Sequence, residues 1–96
     1  MHSPTSQFKQ ITVTAGTTSA PYWFRSGIQC SVTAIPGASG TMLVQYTTSP
    51  QSAVTINWVN WPSGTVSATT SDSLLGRVTG VRATATTSDG TLEILE

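Results

Sequence analysis

Val78-Thr79-Gly80-Val81-Arg82-Ala83-Thr84-Ala85-Thr86-Thr87-Ser88-Asp89-Gly90-Thr91-Leu92-Glu93-Ile94-Leu95 is the stretch on which the reading of the fold turns. Val81, Ala83 and Ala85 alternate with Arg82, Thr84 and Thr86, and Leu92 and Ile94 alternate with Thr91 and Glu93. A period of two is the signature of a half-buried strand, because successive side chains leave opposite faces. Asp89-Gly90 is a preferred pair for a two-residue type I′ hairpin turn, since both residues tolerate positive φ. A turn there sets Ala85 opposite Ile94 and Thr87 opposite Leu92. Both strands then agree on one apolar face, an agreement that a slip of one residue would destroy. The expectation is an antiparallel hairpin that closes the chain.

The same grammar runs through the rest of the sequence. Ile28, Cys30, Val32 and Ala34 alternate with Gln29, Ser31 and Thr33, and Met42, Val44 and Tyr46 alternate with Thr41, Gln45 and Thr47. Turn signals recur at Ala15-Gly16, Ser26-Gly27, Pro36-Gly37, Ser49-Pro50, Pro62-Ser63-Gly64 and Asp72. Thr, Val, Ser and Gly dominate, and they disfavour helix. Strands are predicted over 8–14, 20–25, 28–35, 41–48, 53–58, 65–70, 78–87 and 91–95, with residues 71–77 as the main irregular connection. The fold class is therefore all-β: a single antiparallel β-sandwich, jelly-roll or Ig-like, of seven or eight short strands over residues 7–96. Residues 1–6 are expected to be a flexible N-terminal segment.

Composition narrows the function. Ninety-six residues suffice for one domain. Only 8% of them are charged and the formal net charge is zero, whereas ordinary soluble domains carry roughly 25% charge. Polarity comes instead from 18 Thr and 13 Ser. Such a surface lacks the charge repulsion that keeps free monomers apart, and it suits a protein held at high density in an assembly. Nucleic-acid binding needs a basic stripe, yet Lys9, Arg25, Arg77 and Arg82 are scattered. No apolar run approaches a membrane helix, and no secretion signal is visible in residues 1–10.

Chemistry finds few candidates. Cys30 is the single cysteine, so no disulfide forms within the chain, and its phase with Ile28 and Val32 predicts burial. His2 is the single histidine and is close to the terminus. The carboxylates are Asp72, Asp89, Glu93 and Glu96, and no pair is predicted to converge in a cleft. No catalytic residue, metal ligand or cofactor site is expected, and the chain is read as a non-enzyme. The aromatic residues carry more information. Tyr22-Trp23-Phe24 is a run of three, so at least one ring must leave the core face. Trp58 and Trp61 flank Val59-Asn60, with Trp58 favoured for the core and Trp61 packed on Pro62 at a turn or exposed. Tyr22, Trp23, Phe24, Trp61 and Arg77 are the candidate partner-binding residues, since rings at exposed edges serve interfaces and also sugar stacking.

From Val44 onward the order of segments resembles small structural proteins of tailed-phage heads. Tyr46-Thr47-Thr48-Ser49-Pro50 ends a strand. The Trp58-Val59-Asn60-Trp61-Pro62 turn follows, then Gly64-Thr65-Val66-Ser67, then a polar loop with Leu74-Leu75-Gly76, then the closing hairpin. The likeness is to single-domain β-sandwich decoration, cement or head-fibre proteins, covers just over half of the chain and rests on no diagnostic motif. It implies a homo-oligomer, trimer favoured, that binds the major capsid protein or another virion protein. It also implies a chain made in the host cytoplasm and resident in the virion. A carbohydrate- or receptor-binding module of a tail fibre or spike, stacking sugars on Tyr22, Trp23 and Trp61, is the alternative.

Overall fold

The computed structural model describes residues 8–24, 30–74 and 78–95. Within these residues eight strands form: β1 (Phe8–Val13), β2 (Tyr22–Trp23), β3 (Cys30–Ile35), β4 (Thr41–Thr47), β5 (Val59–Val66), β6 (Thr70–Leu74), β7 (Gly80–Thr86) and β8 (Gly90–Leu95). They make two four-stranded sheets, ordered β1-β8-β3-β6 and β2-β7-β4-β5. Every pairing between strands is antiparallel. The partners β1–β8, β2–β7, β3–β6 and β4–β5 are those of one long hairpin bent at the β4–β5 connection and rolled up. That is the jelly-roll order, and it excludes the Ig-like alternative.

The closing hairpin does not exist as expected. β7 belongs to the second sheet and β8 to the first, so Thr87, Ser88 and Asp89 form an arch that carries the chain across the sandwich. The alternation is right even though the pairing is not. Val81, Ala83, Ala85, Leu92 and Ile94 are all buried, but they face one another from opposite sheets. The reason lies in Gly90. A Cβ there would approach the Met42 sulfur to 2.4 Å and the Ile35 carbonyl oxygen to 3.1 Å, so this glycine serves close packing between layers. Positive φ falls instead on Thr87, at 73°.

A second arch, residues 36–40, lies against the first. A Cβ on Gly37 would meet the Asp89 carbonyl oxygen at 2.4 Å, and the Ser88 hydroxyl donates to the Ala38 carbonyl at 2.5 Å. One Asp89 carboxylate oxygen accepts the Ala15 amide at 2.8 Å, which draws the β1–β2 connection onto the same corner. Residues 15–19 then run beside β7, through the Gly16 amide to the Ala85 carbonyl and the Ser19 amide to the Ala83 carbonyl.

Other boundaries move for identifiable reasons. Residues 53–58 form no strand, because Pro50 and Ser49 tie that loop into turns through the Ala53 and Asn57 amides. Pro62-Ser63-Gly64 is not a turn between strands. It lies inside β5 as a long irregular bulge, in which Gln45 pairs with Asn60 and Leu43 with Thr65, leaving 61–64 opposite one residue. The polar run Ser71-Asp72-Ser73-Leu74 is not a loop. It pairs along β3, helped by a Thr33–Ser71 hydroxyl bond of 2.7 Å, and buries Leu74 beside Cys30. Period-two polarity is weak at such an edge strand because only one residue in the run is apolar.

The core holds Val13, Val32, Ala34, Leu92 and Ile94 from the first sheet, and Met42, Val44, Trp61, Val81, Ala83 and Ala85 from the second. Cys30 is buried among them, as its phase predicts. Burying the Val, Leu, Ile and Met side chains of this core contributes about 1.5–3 kcal/mol each before ordering costs are subtracted, and each Ala less.

Candidate functional site

Alternation decides which side chains leave the outer face of the second sheet. On β7 they are Arg82, Thr84 and Thr86, because Val81, Ala83 and Ala85 point inward. On β4, Gln45 lies opposite Arg82, and on β5, Asn60 lies opposite Gln45. On β2, Trp23 lies opposite Gly80. The four strands therefore place Trp23, Arg82, Gln45 and Asn60 on one surface. Trp58, in phase with Asn60 and just ahead of β5, joins them.

Each group in this layer has a fixed seat. Trp23 rests on Gly80, where a Cβ would come within 2.8 Å of the indole ring. Trp58 tilts against Trp23, with ring centroids 6.0 Å apart and an interplanar angle of 47°. The Arg82 guanidinium lies 4.4 Å from the Trp58 ring centroid, a cation–π contact worth about 0.5–1 kcal/mol where water still reaches it. Arg82 Nε donates to Gln45 Oε1 at 2.9 Å, and Gln45 Nε2 donates to Asn60 Oδ1 at 3.0 Å. The chain of bonds fixes the orientation of both amides and spends neither the Asn60 amide nitrogen nor the terminal guanidinium nitrogens. Trp23, Trp58, Arg82 and Gln45 are half-buried and Asn60 is exposed.

The residues singled out from sequence divide. Trp23 leaves the core face of its run and joins the layer. Tyr22 and Phe24 pack against the core, and their rings meet edge-to-face with centroids 5.3 Å apart and planes at 80°. Trp61 corrects the expectation of an exposed or turn-plugging ring. The bulge swings it inward, it is 2% exposed, and its indole donates to the Gly64 carbonyl at 2.6 Å. An indole so placed cannot stack on a sugar or a partner. Trp58, expected in the core, takes the surface position instead. Arg77, and with it Arg25 and His2, lies outside the described residues. Sequence reading missed Arg82, Gln45 and Asn60 as a group, because strand neighbours far apart in sequence show themselves only once the register is known.

The outer face of the first sheet is different in kind. Gln10 Nε2 donates to Glu93 at 2.6 Å, and Phe8 lies opposite Leu95. Phe8 is 59% exposed and Leu95 45%, an apolar pair in open solvent. Two shallow recesses adjoin β6, one lined by Tyr46, Pro62, Ser73 and Leu74, the other by Ser31, Ser71, Asp72 and Ser73. Among the described residues, no group of three His, Cys, Asp or Glu side chains could hold a metal ion. Among the same residues, no helix is long and apolar enough to cross a membrane.

No protein family, no curated protein and no solved structure matches this chain.

Proposed function

We propose that this chain is a non-enzymatic structural protein of a phage particle, a decoration protein that fastens to the coat shell as a symmetric homo-oligomer, trimer favoured. The observation that carries the reading is the Phe8–Leu95 pair, exposed on the outer face of a sheet in a chain with only 8% charged residues. Apolar surface left open on a charge-poor molecule favours association with a neighbouring protein.

The strand edges support association through faces. In the first sheet, Lys9 on β1 and Asp72 on β6 occupy inward-phase positions, opposite buried Ile94 and Val32. In the second, β2 is two residues long and β5 carries Pro62 and the bulge. Short strands, inward charges, proline and bulges all discourage a neighbour from adding a strand. Contacts repeated over a shell sum by multivalency, so each one need contribute little.

The test is co-sedimentation of the purified protein with expanded phage capsids, with light scattering to give its own mass. A discrete oligomer that binds shells, and loses at least tenfold in affinity as Phe8→Ser/Leu95→Ser, is the expected result. A stable monomer that binds no shell ends the reading.

A further inference from the structure

We infer that the outer face of the second sheet is a binding site for a sugar bearing a carboxylate. Trp23, and the face of Trp58 that does not meet the Arg82 guanidinium, offer apolar ring surface in two planes 47° apart, held in place before any ligand arrives. Rings seated in this way stack on the C–H faces of pyranoses at small cost in side-chain entropy. Trp23 cannot sink further, because it already rests on the backbone of Gly80.

The polar groups beside the rings select the charge. Gln45 spends its oxygen on Arg82 and an amide hydrogen on Asn60, whose oxygen is thereby also engaged. Each amide oxygen here already accepts one bond, while the terminal guanidinium nitrogens of Arg82 and the amide nitrogen of Asn60 are donors with no bond of this layer spent on them. No described carboxylate competes for them. Asp72 accepts from Ser63, Asp89 from Ala15, and Glu93 from Gln10 on the opposite sheet. Among the described residues this surface carries one fixed cation, several donors, no anion and two indoles, which complements an acceptor-rich ring carrying a negative group. The Arg82 guanidinium pairs with the sugar carboxylate, and charge-assisted bonds of this kind are about twice as strong as neutral ones. This surface is remote in register from the Phe8–Leu95 pair, so its failure as a sugar site leaves shell binding untouched.

Titration of the intact protein with trigalacturonic acid and sialyllactose, against maltotriose and lactose, reads the site through tryptophan fluorescence and indole N–H resonances. The carboxylated sugars are expected to saturate at low millimolar concentration and to bind at least tenfold tighter than the neutral ones. Arg82→Gln should bring the two classes to equal, weak affinity, and Trp58→Ala should abolish both, with unchanged circular dichroism as the check on folding. Equal response to neutral and carboxylated sugars, no saturation at 20-fold excess over about 1 mM protein, or an equal response to a short polyglutamate peptide would overturn the assignment. The comparison of sugars on the unaltered protein decides the matter even if a variant does not fold.

Discussion

Trp61 and Trp58 are three residues apart and do opposite work. The bulge in β5 turns Trp61 into the core and gives its indole the Gly64 carbonyl, while Trp58 stays half-buried on the outer face against the Arg82 guanidinium. Trp61→Ala is expected to lose about 3–5 kcal/mol, as large-to-small changes of buried aromatics do. Trp58→Ala is expected to lose about 1 kcal/mol, the scale of one partly wet cation–π contact. Urea unfolding of both variants checks the order, and a larger loss at Trp58 would contradict the placement. Gly37→Ala is the backbone counterpart. Its Cβ would meet the Asp89 carbonyl at 2.4 Å and the Ser88 Cβ at 2.8 Å, and overpacking of this kind costs about 1–3 kcal/mol. Single-residue environments were only partly legible in the sequence. The phase of Cys30, Val32 and Ala34 declares their burial, because a regular strand preserves period two. The phase of Trp61 does not, because four residues of β5 stand opposite one of β4 and reset it.

At the scale of elements, the stretch from Val81 to Leu95 shows what alternation can and cannot decide. It assigns the face of each residue, and all five expected core positions are buried. It is silent on which strand lies alongside. Turn chemistry was the guide to that, and Asp89-Gly90 misleads because each residue answers to another demand. Asp89 binds the Ala15 amide, and Gly90 makes room for Met42. The arch places its left-handed residue at Thr87, with φ 73°. A β-branched residue is ill suited there, at a cost of about 1–2 kcal/mol relative to the right-handed region. Thr87 is exposed, so Thr87→Asn should relieve the strain without removing packing. The expected gain is about 0.5–1 kcal/mol, read as a higher thermal midpoint, while Thr86→Asn should bring none. Edge strands obey the same logic of competing demands. Lys9 and Asp72 interrupt the inward phase of β1 and β6, where a sequence optimised for burial alone would place Val.

Across the described residues, two sheets bury an aliphatic interior and leave outside them hydroxyls, an indole–guanidinium layer, the Phe8–Leu95 pair and the separate Val54 and Val59. With four basic and four acidic residues in 96, few charges are left over for a partner. Three of the carboxylates already hold intramolecular hydrogen bonds. The self-association proposed for the Phe8–Leu95 face would therefore rest on apolar burial rather than ion pairing. Screening acts on exposed charges and leaves apolar contact nearly untouched, whereas excluded salts such as sulfate strengthen it. Raising NaCl from about 50 to 500 mM should change the oligomer association constant by less than about twofold. Added sulfate should raise it, and association should show a negative heat-capacity change, the marker of apolar surface leaving water. Sedimentation velocity across the salt series and dilution calorimetry at several temperatures provide these readings. A steep fall with NaCl would move the contact to the Arg82 side of the sandwich, where Arg82 is the fixed cation among the described residues, and the Phe8–Leu95 face would then lose its claim.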